Sequence, residues 1–182
     1  LFIAFCFLIS LLSCKKGIDT NGPLPVSDNS FPIPAASPVT GRITGIVVDE
    51  NNTPVQQAEV KLNGSIYHTD SKGFFHISNT QLDKYISTIT VTKGGYFKAY
   101  RSFSASASRN YISIKLIPKS LTGSFDAASG GNINLANGTQ IGLPANGFVI
   151  KSSGATYTGT VRVYAAYIDP TASDFGASVP GS

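Results

Sequence analysis

The side chains able to ligate a metal or attack a substrate are few and scattered. Two histidines, His68 and His76, stand on either side of Asp70-Ser71-Lys72-Gly73. Asp at the start and Gly at the end of that tetrapeptide suit a type I turn, so SIYHT (65–69) and FFHIS (74–78) are expected to be the arms of a hairpin. With Thr69 opposite Phe74 and His68 opposite Phe75, His76 falls on the other face; a one-residue register shift would pair the two imidazoles. Even paired, two imidazoles fall short of the three or four protein ligands of a zinc site, so no metal and no cofactor is expected. Asp49-Glu50-Asn51-Asn52 is rich enough in oxygen to hold calcium weakly, yet the same residue types build ordinary turns. No G-x-S-x-G spacing marks a nucleophile, and no glycine-rich loop leads into a helix to cradle a phosphate. No catalytic residue is assigned, and the chain is expected not to be an enzyme.

The remaining reactive side chains are the cysteines, Cys6 and Cys14. Residues 1–12, LFIAFCFLISLL, carry one polar side chain, Ser10. Twelve residues are too few for a bilayer span of roughly 20 but suit the apolar region of a secretory signal. The composition holds no Met, so the initiator and a basic start are expected to lie upstream of Leu1. Leu11-Leu12-Ser13-Cys14 resembles the lipobox of bacterial lipoproteins, with an aliphatic residue three before the cysteine and a small one just before it. The resemblance implies a signal peptide at 1–13, cleavage before Cys14 and a diacylglycerol on its thiol. Cys6 then leaves with the signal, Cys14 is consumed, and no disulfide forms. The competing expectation is the end of a transmembrane anchor.

Residues 14–40 hold the lipidated cysteine and a tether. Prolines at 23, 25, 32, 34 and 38 fix φ and bias their predecessors away from helix, which makes an extended spacer. The alternative is a strand-edge segment packed on the domain through Phe31 and Ile33. Beyond Thr40 the pattern turns to short runs of Ile, Val, Tyr, Phe and Thr separated by Gly, Asn, Asp and Pro, which predicts strands at 41–48, 58–62, 65–69, 74–78, 85–92, 98–105 and 111–117. In AEVKL, Ala58, Val60 and Leu62 share one face while Glu59 and Lys61 share the other. Seven such strands predict an all-β, two-sheet sandwich over 41–118.

Gly45 to Leu62 reads G-x-V-V-D-E-x-x-x-P-V-x-x-A-x-V-x-L, and the stretch from Thr69 through Phe74 to Phe75 reads T-D-x-x-G-x-F. These residues resemble the carboxypeptidase regulatory-like domain, a transthyretin-like seven-stranded β-sandwich common in outer-membrane lipoproteins and transporters of Bacteroidetes-type bacteria. The resemblance implies scaffold or binding work and carries over no catalytic residue. Residues 119–182 are again β-like, with a strong strand expected at 160–168. They are expected to begin a second β-domain that the chain cuts short, and 141–161 is faintly similar to the first part of ZU5-like domains.

The formal charge is +4 and the pI about 9.1, with Lys15 and Lys16 beside the lipid, where they can meet anionic headgroups. The other basic residues form no run of the kind that tracks nucleic acid. Tyr96, Phe97, Lys98, Tyr100, Arg101 and Phe103 make the densest aromatic-basic cluster, and Tyr96, Tyr100 and Arg101 are the candidate ligand platform for a sugar ring or a peptide. In the competing arrangement Phe97 and Phe103 are core and the tyrosines line its rim. Tyr96 is expected to be the more exposed tyrosine because Gly94-Gly95 places it at a turn. The absence of Trp removes the largest flat stacking surface a carbohydrate site can use. These residues, with what the two resemblances imply, lead to the expectation of a non-catalytic, lipid-anchored envelope protein of the outer membrane, periplasmic or surface-facing, with a protein or glycan partner and no nucleic acid. The alternatives are a glycan-binding accessory module of a nutrient-uptake system and the accessory region of a larger peptidase.

Overall fold

The computed structural model describes residues 35–179. The expected signal peptide, Cys14 and the tether up to Pro34 lie outside the described residues. The last part of the expected tether is strand: β1 runs Pro38–Val48, with Pro38, Val39 and Thr40 opposite Asp83, Leu82 and Gln81. Proline is tolerated at the first residue of a strand, where its missing N–H interrupts little of the ladder.

Alternation then sets the inward faces. In β1, Ile43 and Val47 point in while Arg42, Thr44 and Ile46 point out. The strands that follow are β2 (Glu59–Leu62), β3 (Ser65–His68), β4 (Phe74–Asp83), β5 (Ser87–Thr92), β6 (Ala99–Phe103) and β7 (Arg109–Lys115). They form a three-stranded sheet in the order β4-β1-β7 and a four-stranded sheet in the order β3-β2-β5-β6. β1 pairs antiparallel with β4 and parallel with β7. The core lies between the sheets: Ile43, Val47 and Ile77 of the first and Val60, Ile89 and Val91 of the second are sealed from solvent.

The expected 65–78 hairpin does not form. β3 pairs with β2 and β4 with β1, so the chain changes sheets between them. The turn itself is present: Gly73 N donates to Asp70 O at 3.0 Å and Asp70 N to Phe74 O at 2.8 Å, and the Asp70 carboxylate accepts from the amides of Lys72 and Phe74. What redirects the arms is Thr69. Its buried hydroxyl donates to Val55 O at 2.6 Å and accepts from Ala58 N at 2.9 Å, which ties the corner to the loop before β2. A turn's hydrogen bonds are local and serve a corner between layers as well as a hairpin. His68 therefore sits opposite Glu59 and His76 opposite Thr44, on different sheets.

The tight hairpin is β2–β3, closed by Asn63 and Gly64 at φ 49° and 86°. Positive φ at both central residues is the geometry that Asn-Gly favours, because its twist matches that of the strands.

After the sandwich come β8 (Leu121–Asp126), β9 (Gly131–Asn134), β10 (Gln140–Leu143) and β11 (Thr160–Tyr164), then a single helical turn, α1 (Phe175–Ser178). β8 pairs with β11 and β9 with β10. β11 stops at Tyr164, short of the expected 168, and α1 is a helix where only β structure was expected.

Candidate functional site

β6 decides what the aromatic-basic cluster can do. Val91 opposite Ala99, Ile89 opposite Arg101 and Ser87 opposite Phe103 put those three β6 residues on the core side, and Thr90 opposite Tyr100 puts the tyrosine outside. Arg101 thus reaches across the seam between the sheets, and its guanidinium donates to Ser113 O of β7 at 3.1 Å. Burial holds its pKa below the ordinary guanidinium value. Tyr96 packs against the core beside the bridge between Tyr96 and Pro118. Burial first, then the charges of Asp49 and Glu50, push its phenol pKa up. The order of exposure is the reverse of the expectation: Tyr100 is 43% exposed and Tyr96 is half-buried, because the turn at Gly94-Gly95 folds the chain back onto the end of β7. Tyr96, Tyr100 and Arg101 do not share one surface. Tyr100 stands outside with Lys98 Nζ 5.3 Å from its ring centre, in a row that continues through Thr90 and Lys61 to Ile66.

The inner end of the cluster contributes instead to an apolar cavity of about 310 Å³, lined by Phe97, Ala99, Ile117, Tyr164 and Ile168 with Lys98 and Lys115. Lys115 is buried, and its ammonium donates to Glu50 O at 3.3 Å and pairs with Asp174 at the start of α1. That hydrogen bond holds the Asp174 carboxyl below the usual carboxylate range. The cavity's one buried cation is therefore already paired and fastens the segment around α1 to the end of β7.

A second set of residues escaped the sequence. On the outer face of the three-stranded sheet, β1 offers Arg42, Thr44 and Ile46. Their β7 partners are Arg109, Tyr111 and Ser113, and Thr44 and Ile46 face His76 and Phe74 of β4. Tyr111 is 64% exposed and Phe74 41%. YISIK read as simple alternation identified the outward positions, but no local signal says that the strand beside it carries Arg42 and Thr44.

Groups suited to bond chemistry are dispersed. Among the described residues no three His, Cys, Asp or Glu side chains come close enough to hold a metal ion. The Asp49 carboxylate of the oxygen-rich loop accepts from the amides of Asn51 and Thr53 at 2.9 and 2.8 Å, which makes it a turn former. No described helix is long and apolar enough to cross a membrane.

No protein-family model matches the chain, and no curated protein matches it in sequence. Among solved structures, a type II cohesin–X-dockerin complex from Acetivibrio cellulolyticus is 16% identical at a TM-score of 0.38, over 46% of this chain and 61% of that one. The 3-chlorocatechol 1,2-dioxygenase of Rhodococcus opacus is 11% identical at 0.32, over 47% and 62%. A candidate carbohydrate binding protein from Bacteroides uniformis is 12% identical at 0.35, over 57% and 54%. The chain spans less than two-thirds of each of these structures. At such TM-scores, with an enzyme and binding proteins alike among them, the likeness assigns neither activity nor ligand.

Proposed function

We propose that this chain is a non-catalytic, lipid-anchored cell-envelope protein whose β-sandwich presents a binding surface to a protein or glycan partner. The observation that supports binding is where the large exposed side chains stand: Tyr100 and Ile66 on the outer face of one sheet, Tyr111 and Phe74 on that of the other. Residues that would be hydrophobic liabilities on a solvated sheet become contact area when a partner covers them. Anchoring is supported by Leu11-Leu12-Ser13-Cys14, the two lysines after it and the proline-rich stretch that would hold the body off the membrane. The likeness of Gly45 to Leu62 to carboxypeptidase regulatory-like domains supports placement at the outer membrane.

The anchoring test is Cys14→Ala. Without the thiol the protein takes up no labelled fatty acid and leaves the detergent phase, while the body still folds. Lys15 and Lys16 supply only about 1 kcal/mol each at an anionic surface, too little to retain it. A Cys14→Ala protein that resists carbonate extraction would instead mark residues 1–12 as part of a spanning helix.

A further inference from the structure

We infer that the outer face of the three-stranded sheet binds an acidic polysaccharide, with Arg42 and Arg109 taking a ring carboxylate and Tyr111 stacking on a sugar face. The inference rests on the proposed role as a binding module and names its ligand class. Arg42 and Arg109 are direct partners in the parallel β1–β7 ladder, so their side chains leave the same face side by side. Both are exposed, and neither guanidinium is in an ion pair among the described residues, where the one pair is Lys115 with Asp174. Like charges directly opposite each other destabilise a sheet, and an anion seated between them reverses the sign of that interaction. A recess of about 380 Å³ lined by Arg42, Ser108 and Arg109 leaves room for one. The guanidinium fork matches a carboxylate in a bidentate way that an ammonium does not.

The neighbouring rows select the rest of the ligand. Tyr111 lies two residues beyond Arg109 on the same strand and face, roughly 6.6 Å away along the strand, a separation on the scale of one sugar ring. Beside it, the Thr44 hydroxyl and His76 Nδ1 lie within hydrogen-bond distance of each other, 3.2 Å apart, and offer donors and acceptors suited to ring hydroxyls. An extended peptide fits this face poorly. It would bind by adding a strand at the β4 or β7 edge, where backbone pairing makes the contact, rather than across the outward row that holds Arg42 of the central strand β1. The face is charged at one end and aromatic in the middle, which complements a chain of carboxylated rings.

Calorimetric titration of the whole chain with tetragalacturonate tests this. Binding is expected, and Arg42→Gln and Arg109→Gln are each expected to weaken it roughly tenfold, the loss of one charge-assisted hydrogen bond. Tyr111→Ala should weaken it comparably without unfolding the protein, because its side chain is 64% exposed, and the arginine variants should not lower Tm, since each relieves a like-charge pair. Tyr100→Ala, on the other sheet, should bind as the parent does. Failure to bind tetragalacturonate, or equal binding by the Arg42→Gln/Arg109→Gln double variant, would overturn the assignment. So would equal or tighter arginine-dependent binding of polyglutamate or of phosphatidylglycerol vesicles. A neutral glycan captured through Tyr100 would sink this face while leaving the binding-module role standing.

Discussion

The β1–β7 sandwich and the β8–β11 region are written in the same alternating pattern, yet they bury very different amounts. In the sandwich, Ile43, Val47, Val60, Ile77, Ile89, Ile114 and Leu116 are removed from water almost completely; in the later region the buried hydrophobics are Ala127 and Ile133. The difference is layering. Two sheets of three and four strands cover each other's inner faces, whereas β8 with β11 and β9 with β10 form separate two-stranded sheets, too narrow to enclose more than a few positions, as the half-buried patterns of β8 and β11 show. The contacts that form there are few: Gly123 lies against Ile133 and Gly131 against Phe125, and the Phe125 and Phe148 rings are 5.6 Å apart. Alternation marks a strand; the depth of its burial depends on what lies across from it.

The sharpest contrast comes from one substitution made in both regions. Ile77→Ala is expected to cost about 2–5 kcal/mol in urea unfolding, the range for truncating an enclosed aliphatic side chain. Ile133→Ala should cost less and act locally, lowering hydrogen-exchange protection in β8–β11 while sparing β1–β7. Equal loss of protection throughout would show that the two regions unfold together and break the comparison.

Within the sandwich, the corner between layers is the next test. Gly73 has φ +74°, and a Cβ built there would stand 2.4 Å from Val47 O. Gly73→Val should therefore destabilise by about 1–3 kcal/mol from backbone strain, before any clash is counted. Urea unfolding of β1–β7 measures it, and a change near zero would mean that the corner is not what holds the sheets in place.

A smaller effect is expected at Asp83. Its carboxylate accepts the amides of Tyr85 and Ile86 after β4, and of Ser37 before β1. Those amides, Ile86 foremost, lower its pKa from 3.8. A depressed folded-state pKa means that the carboxylate's stabilisation is complete above the unfolded value and is lost as pH falls through the lowered one. The stability gap between the parent and Asp83→Asn should thus be constant near neutrality and shrink below about pH 4. A gap independent of pH would assign the difference to packing.

Local signals were legible where their physics is local. Asp70 and Gly73 announce a turn, and a turn is there, but it makes a corner between the sheets instead of a hairpin. The Asn63-Gly64 pair is the stronger hairpin signal, and it is the one that closes β2 on β3. Arg101 sat in a cluster that looked like a platform; its position opposite Ile89, which turns it inward, depends on β6 lying beside β5 in that register.

The sequence by itself determined that the chain is strand-rich, which side chains of each strand share a face, and where turns interrupt them, since these follow from a backbone period of two and from the φ preferences of single residues. Only the tertiary structure decided which strands are neighbours. β1 and β7 lie side by side and parallel although β2 to β6 intervene in the chain. Such a pairing carries no local signature. It arises because two sheets must close over one apolar layer, and that closure brings Arg42 beside Arg109 and Thr44 beside Tyr111.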